Sequence, residues 1–403
     1  MSDFYQSGTI TTLHRIGEQN YKGLEAELKE FNKTRPLALV LPAVFEEFER
    51  PAFPNILETL KGVDYVNEYV LVMNRTNAMQ FREARRRVSE LPFKVTIVWS
   101  SGERISKLYD LLADEGLDIG EDGKGRSVWI ALGYVIANSA SEVIALHDCD
   151  ILTYDRPLLA RLCYPLSNPN LGYEFCKGYY SRVTHKMHGR VTRLFFSPMI
   201  RSLIKIFGHL PLLTYLNSFR YPLAGEFSLD VHLARVNRIP SDWGLEVGTL
   251  SEVFRNAAQN RICQVDLTDK YEHKHQELST TDPTKGLMKM SIDIAKSVLR
   301  FLANEGAVFT RGLLHTLEMT YVQIAQDTIR QYEHDAAVNN LEFDRHGEAI
   351  AVETFASSIE IAAKAFWDNP RSSPVIPNWN RVTSARPDFL DRLREAVELD
   401  NKS

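Results

Sequence analysis

Two aspartates, Asp148 and Asp150, follow an apolar run and are the side chains best placed to do chemistry in this 403-residue chain. The run, Glu142-Val143-Ile144-Ala145-Leu146, is rich in β-branched residues and predicts a buried strand. Open α/β sheets bind ligands at the carboxyl ends of their strands, where these two carboxylates would lie. Carboxylate oxygens suit a divalent cation that in turn holds a phosphate. The pattern indicates a metal and nucleotide-diphosphate site, with a merely solvated acidic turn as the alternative.

Three further apolar runs precede this strand and predict the sheet that positions it. They are residues 37–42, 68–73 and 93–99. Helical stretches at about 53–62 and 77–90 lie between them. Alternation of strand and helix at this spacing implies a parallel sheet with right-handed crossovers. The strand before Asp148 would be about the fourth of the series.

Composition divides the chain into three parts. Residues 1–36 are polar and predict an N-terminal arm, and residues 37–280 predict an α/β domain. Residues 281–403 predict a helical C-terminal subdomain, because no proline occurs from 284 to 369 and helical periodicity is sustained there.

A glycine-rich stretch, residues 120–127, opens a helix between the third strand and the two aspartates. It is not a P-loop, because Lys124 is followed by Gly125 and not by Ser or Thr. A lysine between two glycines still brings a positive charge and backbone N–H groups toward an anion. An exposed glycine-rich turn is the alternative, but the position just before the acidic strand favours anion binding.

A basic tract spans residues 175–225, which contain no Asp or Glu in a chain of net charge −5. Its basic residues are Lys177, Arg182, Lys186, Arg190, Arg193, Arg201, Lys205 and Arg220. Such segregation builds a local positive field that attracts an anion. Within the tract, Gly189-Arg190-Val191-Thr192 offers a guanidinium, a hydroxyl and an open backbone for a phosphate. A solvated basic helix face is the alternative for any single arginine.

Two carboxylates beside glycines follow the basic tract, Glu226 after Gly225 and Glu246 two residues after Gly244. Glycine lets the backbone approach a ligand while the acid accepts hydrogen bonds from hydroxyls, as a sugar site requires. A role for Glu226 near a helix N-terminus is the structural alternative. Farther on, His273 or His275 could complete a metal site, since imidazole suits Mn²⁺ or a softer divalent ion beside carboxylates.

Composition limits the function classes. The 47 basic and 52 acidic residues argue against a general nucleic-acid binder. Four cysteines without a C-x-x-C spacing predict reduced thiols in a cytoplasm, and the N-terminus resembles no export signal. The most apolar long window, 198–216, is interrupted by charges and a proline, which argues against stable membrane insertion.

Six motifs, taken in order, resemble the retaining glycosyltransferases that make glucosyl-3-phosphoglycerate. They are Leu41-Pro42-Ala43-Val44-Phe45-Glu46-Glu47, Gly123-Lys124-Gly125, Asp148-Cys149-Asp150, Gly189-Arg190-Val191-Thr192, Pro222-Leu223-Ala224-Gly225-Glu226 and Gly244-Leu245-Glu246. The likeness covers roughly residues 8 to 290. It implies an α/β fold with a Rossmann-like nucleotide-sugar domain of the GT-A type, joined to the helical C-terminal subdomain.

The resemblance also implies roles for single residues. Pro42, Ala43, Val44 and Glu46 would contact the nucleoside, Lys124 the diphosphate and Asp148 the ribose, while Glu226 and Glu246 would serve the nucleotide sugar. Asp150 and His273 would bind Mg²⁺ or Mn²⁺, and Gly189, Arg190 and Thr192 would hold 3-phosphoglycerate. Lys124, Asp150 and Glu226 would be the catalytic set.

Two departures from the family pattern bear on the donor. The usual Asp-Ser-Gly-Ser after the second strand is Asn74-Arg75-Thr76-Asn77, which leaves UDP, GDP and ADP open as the donor nucleotide. The usual Gly-Lys-Gly-Glu ends in Arg126, which could add a charge near the diphosphate.

The implied reaction loses a diphosphate through an oxocarbenium-like transition state, so stabilisation of the leaving group is the main catalytic requirement. Retention is implied by the resemblance, and same-face attack with the leaving diphosphate as base is expected because no carboxylate is obviously placed as nucleophile. Alternatives are a transferase acting on unphosphorylated glycerate, a peripheral-membrane glycosyltransferase whose basic tract contacts anionic lipid, and a non-catalytic sensor.

A homodimer is expected from the C-terminal helices. Leu313, Leu317, Tyr321 and Ile324 share one helical face, and this apolar surface exceeds what a thin cap on a sheet needs.

Overall fold

The computed structural model describes residues 4–6, 8–17, 20–273, 277–370 and 375–402. The strands within these ranges are β1 (Thr11–Leu13), β2 (Leu37–Ala43), β3 (Glu68–Met73), β4 (Val95–Trp99), β5 (Val143–Leu146), β6 (Phe175–Tyr180), β7 (Phe227–Asp230) and β8 (Ile262–Thr268). They form a mixed sheet in the order β1-β8-β6-β7-β5-β2-β3-β4.

All strand pairs of this sheet are parallel except those made by β7. The parallel group β5-β2-β3-β4 confirms the sheet predicted from the spacing of the apolar runs. β7 runs antiparallel to both β5 and β6, a reversal that the sequence pattern did not indicate. β1 pairs in parallel with β8, so the segment 1–36, predicted as an arm, supplies an edge strand.

The helices cover both faces of the sheet. They are α1 (Tyr21–Phe31), α2 (Ala52–Leu60), α3 (Ala78–Val88), α4 (Glu103–Asp114), α5 (Lys124–Asn138), α6 (Arg156–Ser167), α7 (Ser197–Phe207), α8 (Pro211–Ser218), α9 (Val231–Val236), α10 (Leu245–Asn256), α11 (Gly286–Asn304), α12 (Arg311–Val338), α13 (Arg345–Asp368), α14 (Trp379–Ala385) and α15 (Phe389–Lys402). Short 3₁₀ helices at Phe45–Glu49 and Gln259–Arg261 and a π-helix at Val191–Phe196 complete the helical elements described.

Strand β2 shows how the sheet separates two cores. Ala38 and Val40 face a core shared with α5 and the C-terminal helices, whereas Leu37, Leu39 and Leu41 face a core shared with α1, α2, α3 and α6. Burial on both faces explains why the strand is a continuous apolar run and not an alternating one.

The helices after residue 281 pack on the sheet domain through an apolar face of α12. Leu317 and Tyr321 have no exposed surface, and the Tyr321 hydroxyl donates a 2.7 Å hydrogen bond to the Leu194 carbonyl of the π-helix. Leu313 and Ile324 are half-buried in the same subunit. The apolar face from which the homodimer was predicted is therefore largely buried within one chain. The homodimer stays a prediction, and this face no longer supports it.

The last helix protects one edge of the sheet. The side-chain amide of Asn401 donates to the Ile97 carbonyl at 2.8 Å, and its oxygen accepts from the Ile97 N–H at 3.0 Å. This pair of bonds replaces a neighbouring strand beside β4 and leaves less of that edge open for pairing with another chain.

Within the part of the chain that the structure describes, no helix is long and apolar enough to cross a membrane.

Candidate active site

The side chains singled out from the sequence lie mainly at one end of the strands. The parallel strands β2, β5, β6 and β8 have their carboxyl ends there, and the reversed strand β7 begins there. Residues that follow β5 and β8 therefore meet residues that precede β7. A cleft of about 900 Å³ runs along this end of the strands.

Lys124, the first residue of α5, occupies the centre of the cleft between two carboxylates. Its Nζ lies 2.6 Å from Asp148 Oδ1 and 3.2 Å from Glu246 Oε1. Burial alone would lower the pKa of this ammonium, but the charges of Asp148 and Glu246 outweigh it and raise the pKa. Burial pushes the pKa of Asp148 upward, and Lys124 reverses that effect and lowers it. Lys124 and Asp148 are therefore ionised together at neutral pH.

Asp150 and His273 lie side by side at the same end of the strands. Asp150 Oδ1 is 3.5 Å from His273 Nδ1. A β-bridge between Ile151 and His273, with the Leu152 N–H donating to the Glu272 carbonyl at 2.8 Å, brings these distant segments together. His275 lies outside the described residues.

The surroundings of Asp150 fit a divalent cation. Its Oδ1 is buried, and no hydrogen bond to it is made by the described residues. A separation of 3.5 Å allows both groups to bind one cation, because ligands about 2.1 Å from a shared ion lie no more than about 4.2 Å apart. The described residues contain no cluster of three or more such ligands. Two protein ligands are what a cation shared with a substrate diphosphate needs.

Glu226 lies behind the cleft surface and not on it. It has no exposed surface, its two oxygens accept hydrogen bonds from Tyr180 at 2.8 Å and Tyr271 at 2.6 Å, and the two rings stack 3.6 Å apart. Burial raises the pKa of Glu226. The residue precedes strand β7, so the interpretation of Glu226 as an acid at a helix N-terminus is wrong. Tyr180 lines the cleft, whereas Glu226 is not part of its lining.

The backbone beside Glu226 closely approaches the acidic strand end. A Cβ on Gly225 would come within 2.4 Å of Asp148 Oδ2, so a larger residue would displace that carboxylate. The buried Lys177 holds the preceding residue, with its Nζ donating to the Ala224 carbonyl at 2.5 Å. Burial lowers the pKa of Lys177 to about 8. These contacts position the loop that carries Gly225.

The Gly189–Thr192 loop forms another wall of the cleft. Gly189 has φ +75, a conformation that side chains disfavour, and a Cβ there would lie 2.9 Å from the Tyr221 hydroxyl. The π-helix begins directly after Arg190, a form often found at functional sites. Arg190 Nε donates to Glu348 of α13 at 2.8 Å, and Arg193 forms an ion pair with the same carboxylate at 2.9 Å.

The basic tract is not a solvated helix face as a whole. Lys177 is 1% exposed and Arg193 is 9% exposed, which excludes that interpretation for both. The residues of the tract that line the cleft with basic side chains are Arg182, Lys186, His188, Arg190 and Arg193. Arg201, Lys205 and Arg220 are exposed outside it. The half of the tract around Gly189 therefore adds positive charge to a cleft that Arg75, Lys124 and Lys289 also line.

The end of β2 and the residue after it line the cleft with Pro42, Ala43 and Val44, the residues predicted to contact the nucleoside. The acid that reaches the cleft here is Glu47, whereas Glu46 is exposed and does not line it. Glu47 pairs with Arg50 at 2.5 Å. The adjacent glutamates could not be told apart from the sequence, because a 3₁₀ turn decides which one faces inward.

Sequence reasoning missed several residues of the cleft. They include Asp122, Asp293, Lys289 and Glu348. Arg126, expected near the diphosphate, instead pairs with Asp122 at 2.6 Å and lies over the Tyr109 ring, outside the cleft lining. Arg75, part of the departure from the family pattern, does line the cleft and has φ +51. Three missed residues come from helix α11 or α13, far along the chain from the motifs.

Comparison with known proteins gives relatives over the whole chain. Glucosyl-3-phosphoglycerate synthase of Persephonella marina is 46% identical over 401 residues, covering 100% of this chain and 99% of that protein. The synthase of Methanococcoides burtonii is 38% identical over 408 residues, covering 99% and 98%. No family model matches the chain.

Solved structures are similar in fold. The glucosyl-3-phosphoglycerate synthase of Mycobacterium tuberculosis in complex with Mg²⁺ and UDP has a TM-score of 0.52 and 22% identity, covering 72% of this chain and 86% of that one. Its complex with Mn²⁺, UDP-glucose and phosphoglyceric acid has a TM-score of 0.52, covering 72% and 87%.

The mixed sheet, its helical layers and this likeness define a glycosyltransferase fold of the GT-A type. The full-length relatives place the chain more narrowly. It belongs to the glucosyl-3-phosphoglycerate synthase family, as the resemblance of its motifs predicted.

Proposed function

We propose that this protein transfers glucose from a nucleotide diphosphate glucose to the 2-hydroxyl of 3-phosphoglycerate, with retention of configuration, as a step in glucosylglycerate synthesis. The observation that carries the proposal is that Lys124, Asp150 and Arg190 line one cleft. A donor diphosphate site and an acceptor phosphate site must share a cavity if the acceptor hydroxyl is to reach the sugar. Membership of the family supports the same reaction.

The donor half of the site is built on the ends of β2 and β5 and the start of α5. Pro42, Ala43 and Val44 are proposed to contact the nucleoside, with Glu47 as the nearby acid in place of Glu46. Asp148 is proposed to accept from the ribose, and Lys124 to face the diphosphate. The backbone N–H groups at the start of α5 add to the positive field there.

Asp150 and His273 are the residues proposed to hold a divalent cation, Mg²⁺ or Mn²⁺. The fit is the buried, unbonded Asp150 Oδ1 beside the His273 ring. Such a cation supplies charge neutralisation for the departing diphosphate. The solved relatives in complex with Mg²⁺ or Mn²⁺ together with UDP support this assignment.

The chain's own contribution to bond cleavage is proposed to come from Lys124. Its charge is fixed by Asp148 and Glu246 before the donor arrives, so no rearrangement of the lysine is needed when negative charge develops on the leaving group. Glu246 lines the cleft and, on the proposed arrangement, also faces the donor sugar.

Glu226 is a poor nucleophile in this arrangement, since each of its two oxygens accepts a hydrogen bond from a tyrosine hydroxyl. We therefore propose same-face attack by the acceptor hydroxyl, with the leaving diphosphate taking its proton. Glu226 acts at the glucose subsite through Tyr180, whose ring lines the cleft. Direct contact of Glu226 with glucose hydroxyls would require that these tyrosines move.

The acceptor half is the Gly189–Thr192 loop. Gly189 opens the backbone, Arg190 presents a guanidinium on a side chain that is 35% exposed, and Thr192 follows within the π-helix. An arginine fork matches a phosphate with two parallel hydrogen bonds. The basic residues around the loop favour a phosphorylated acceptor over glycerate.

The decisive experiment is a panel of donors and acceptors with purified protein. UDP-, GDP- and ADP-glucose are each combined with 3-phosphoglycerate or glycerate, in Mg²⁺, Mn²⁺ or EDTA, and the products are identified by mass. Glucosyl-3-phosphoglycerate formed only with metal is the expected result. Preference for unphosphorylated glycerate would contradict the assignment of the acceptor site.

A cytoplasmic location is proposed on the cysteines, all four of which are free and buried. Fractionation of the source cells, followed by immunodetection, tests it. Salt-sensitive binding to anionic liposomes would instead favour a peripheral membrane role for the exposed part of the basic tract.

A further inference from the structure

Glu348 connects the helical C-terminal region to the acceptor loop. It lies in the first turn of α13, and its side chain is only 6% exposed. Its Oε1 accepts from Arg190 Nε at 2.8 Å, and its Oε2 lies 2.9 Å from Arg193 Nη1. The buried carboxylate is thus hydrogen-bonded at Oε1 and ion-paired, without hydrogen-bond geometry, at Oε2.

Arg193 serves as the fixed side of this arrangement. Its side chain is 10% exposed, its Nε donates to the His188 carbonyl at 2.9 Å, and its guanidinium lies 4.7 Å from the centre of the Tyr332 ring. These contacts leave Arg193 little access to a ligand. Its effect is to anchor Glu348 against the acceptor loop.

Arg190 is the side of the arrangement that faces the cleft. Its Nε is taken by Glu348, and none of the described residues accepts a hydrogen bond from its two terminal nitrogens. With Nε fixed, the plane of the guanidinium is fixed, and the terminal nitrogens are directed as a pair. A free arginine side chain would lose rotamer freedom on binding an anion, whereas this one is already ordered.

The segment just before the Gly189–Thr192 loop is bonded to the residues that precede α13. The Glu342 N–H donates to the His185 carbonyl at 2.9 Å, and Lys186 and Glu342 form a β-bridge. Asp344 caps α13 by accepting from the Gly347 N–H at 2.9 Å. The start of α13 is thus ordered where Glu348 meets Arg190.

We propose that Glu348 is a positioning residue for the acceptor: it orients the Arg190 guanidinium so that both terminal nitrogens engage the phosphate. The inference rests on the proposed function for the identity of the acceptor and deepens it. It adds a residue from the C-terminal helices to the acceptor site.

The test is Glu348→Asp, which keeps the charge but withdraws the carboxylate by one methylene, so that it no longer reaches both arginines. Binding of 3-phosphoglycerate is measured by calorimetry, and KM for acceptor and donor is measured separately. We expect Kd and acceptor KM to rise about tenfold, with donor KM and kcat changed less than about threefold. Arg193→Lys should weaken acceptor binding in the same direction, because it loosens Glu348.

Glu25→Asp is the matched control. Glu25 is a glutamate of similar burial, 7% exposed, whose two oxygens accept from Arg156 at 2.8 and 2.6 Å outside the cleft. It should change melting temperature as much as Glu348→Asp and leave acceptor binding unaltered. In an Arg190→Ala background, Glu348→Asp should add less than about twofold to Kd, because the group through which it acts is gone.

Three outcomes would overturn the inference: unchanged acceptor Kd in folded Glu348→Asp, an equal rise in Glu25→Asp, or the same rise with and without Arg190. If wild type binds 3-phosphoglycerate but forms no glucosylated product, the proposed function fails while the Kd ratios still decide the role of Glu348. If wild type binds neither 3-phosphoglycerate nor inorganic phosphate, both proposals fail.

Discussion

Lys124 and Asp148 form an ion pair of 2.6 Å in the cleft. Glu246 lies 3.2 Å from the same ammonium. The lysine is thus surrounded by an excess of negative charge. Its positive charge is secured over the whole range of physiological pH, because the two carboxylates raise its pKa against the effect of burial. A diphosphate entering the cleft meets an ammonium that is charged and already oriented.

Replacement of Lys124 by Met should separate catalysis from stability. We expect kcat to fall about 100- to 1,000-fold, since a preorganised charge at the leaving group is lost. The melting temperature should also fall, because Asp148 is left buried without its ion-pair partner. Lys107→Met is the control, as Lys107 pairs with Glu103 at 2.7 Å on the exposed surface. Normal turnover by Lys124→Met would exclude a role at the diphosphate.

The proposed metal ligands predict a second set of effects. Asp150→Ala should abolish turnover while the fold stays intact, and EDTA should inactivate wild type. His273→Ala should raise the Mn²⁺ concentration needed for half-maximal activity by about 10- to 100-fold. Binding of Mn²⁺ in the presence of UDP, followed by electron paramagnetic resonance, measures the same loss without turnover. Asp148→Ala should give a milder but still large loss of activity. Full activity in EDTA would contradict the assignment.

Arg190→Ala should lower kcat/KM for 3-phosphoglycerate by roughly 30- to 1,000-fold, equivalent to about 2–4 kcal/mol. Hydrolysis of the donor without acceptor should change little, because Lys124 and Asp150 are untouched. Arg190→Lys should recover only part of the loss, since an ammonium supplies charge without the fork. Steady-state kinetics with acceptor and donor varied in turn measures these effects. A wild-type kcat/KM for 3-phosphoglycerate in Arg190→Ala would contradict the acceptor role of Arg190 and would favour a surface or membrane role for the basic tract.

The parts of the fold that the sequence predicts are those set by local patterns. β2, β3 and β5 were visible as apolar runs, and the start of α5 at Lys124 was visible from its flanking glycines. The edge strand β1 was not, because a run of three residues carries too little periodicity. The reversal of β7 was also hidden, since strand direction depends on how the chain returns to the sheet.

The residues of the site also divide into those that a local motif indicates and those that only the packing of the fold reveals. Asp148, Asp150 and Arg190 lie in short motifs whose residue types indicate anion and metal chemistry. Tyr180 and Glu348 do not, because their contacts join residues 46 and 158 positions apart in sequence. Glu226 was identified from its neighbouring glycine, but its burial behind Tyr180 depends on the packing of β6 against β7. Long-range packing therefore decides which acid faces the cleft.

Asp242 gives a prediction for the dependence of stability on pH. Burial, and then the nearby charge of Asp293, raises the pKa of Asp242 to about 6, against the opposing effects of the hydrogen bond from the Gly244 N–H and then of Lys289 and Lys296. In the unfolded chain its pKa is about 3.9. Between these values the unfolded chain releases its proton while the folded protein keeps it, so the contribution of Asp242 to stability falls as pH rises from about 4 to about 6. Above pH 6 the loss is complete and constant.

Asp242→Asn should remove this loss, since an amide oxygen can still accept the hydrogen bond that the Gly244 N–H donates at 2.8 Å. We expect the variant and wild type to melt together near pH 4. The variant should gain about 1–3 kcal/mol relative to wild type by pH 7, which corresponds to a higher melting temperature. Asp118→Asn is the control, because Asp118 accepts the equivalent bond from the Gly120 N–H at 2.8 Å on an exposed side chain. A melting-temperature difference between Asp242→Asn and wild type that is the same at pH 4 and pH 7 would show that the charge of Asp242 costs the folded protein nothing.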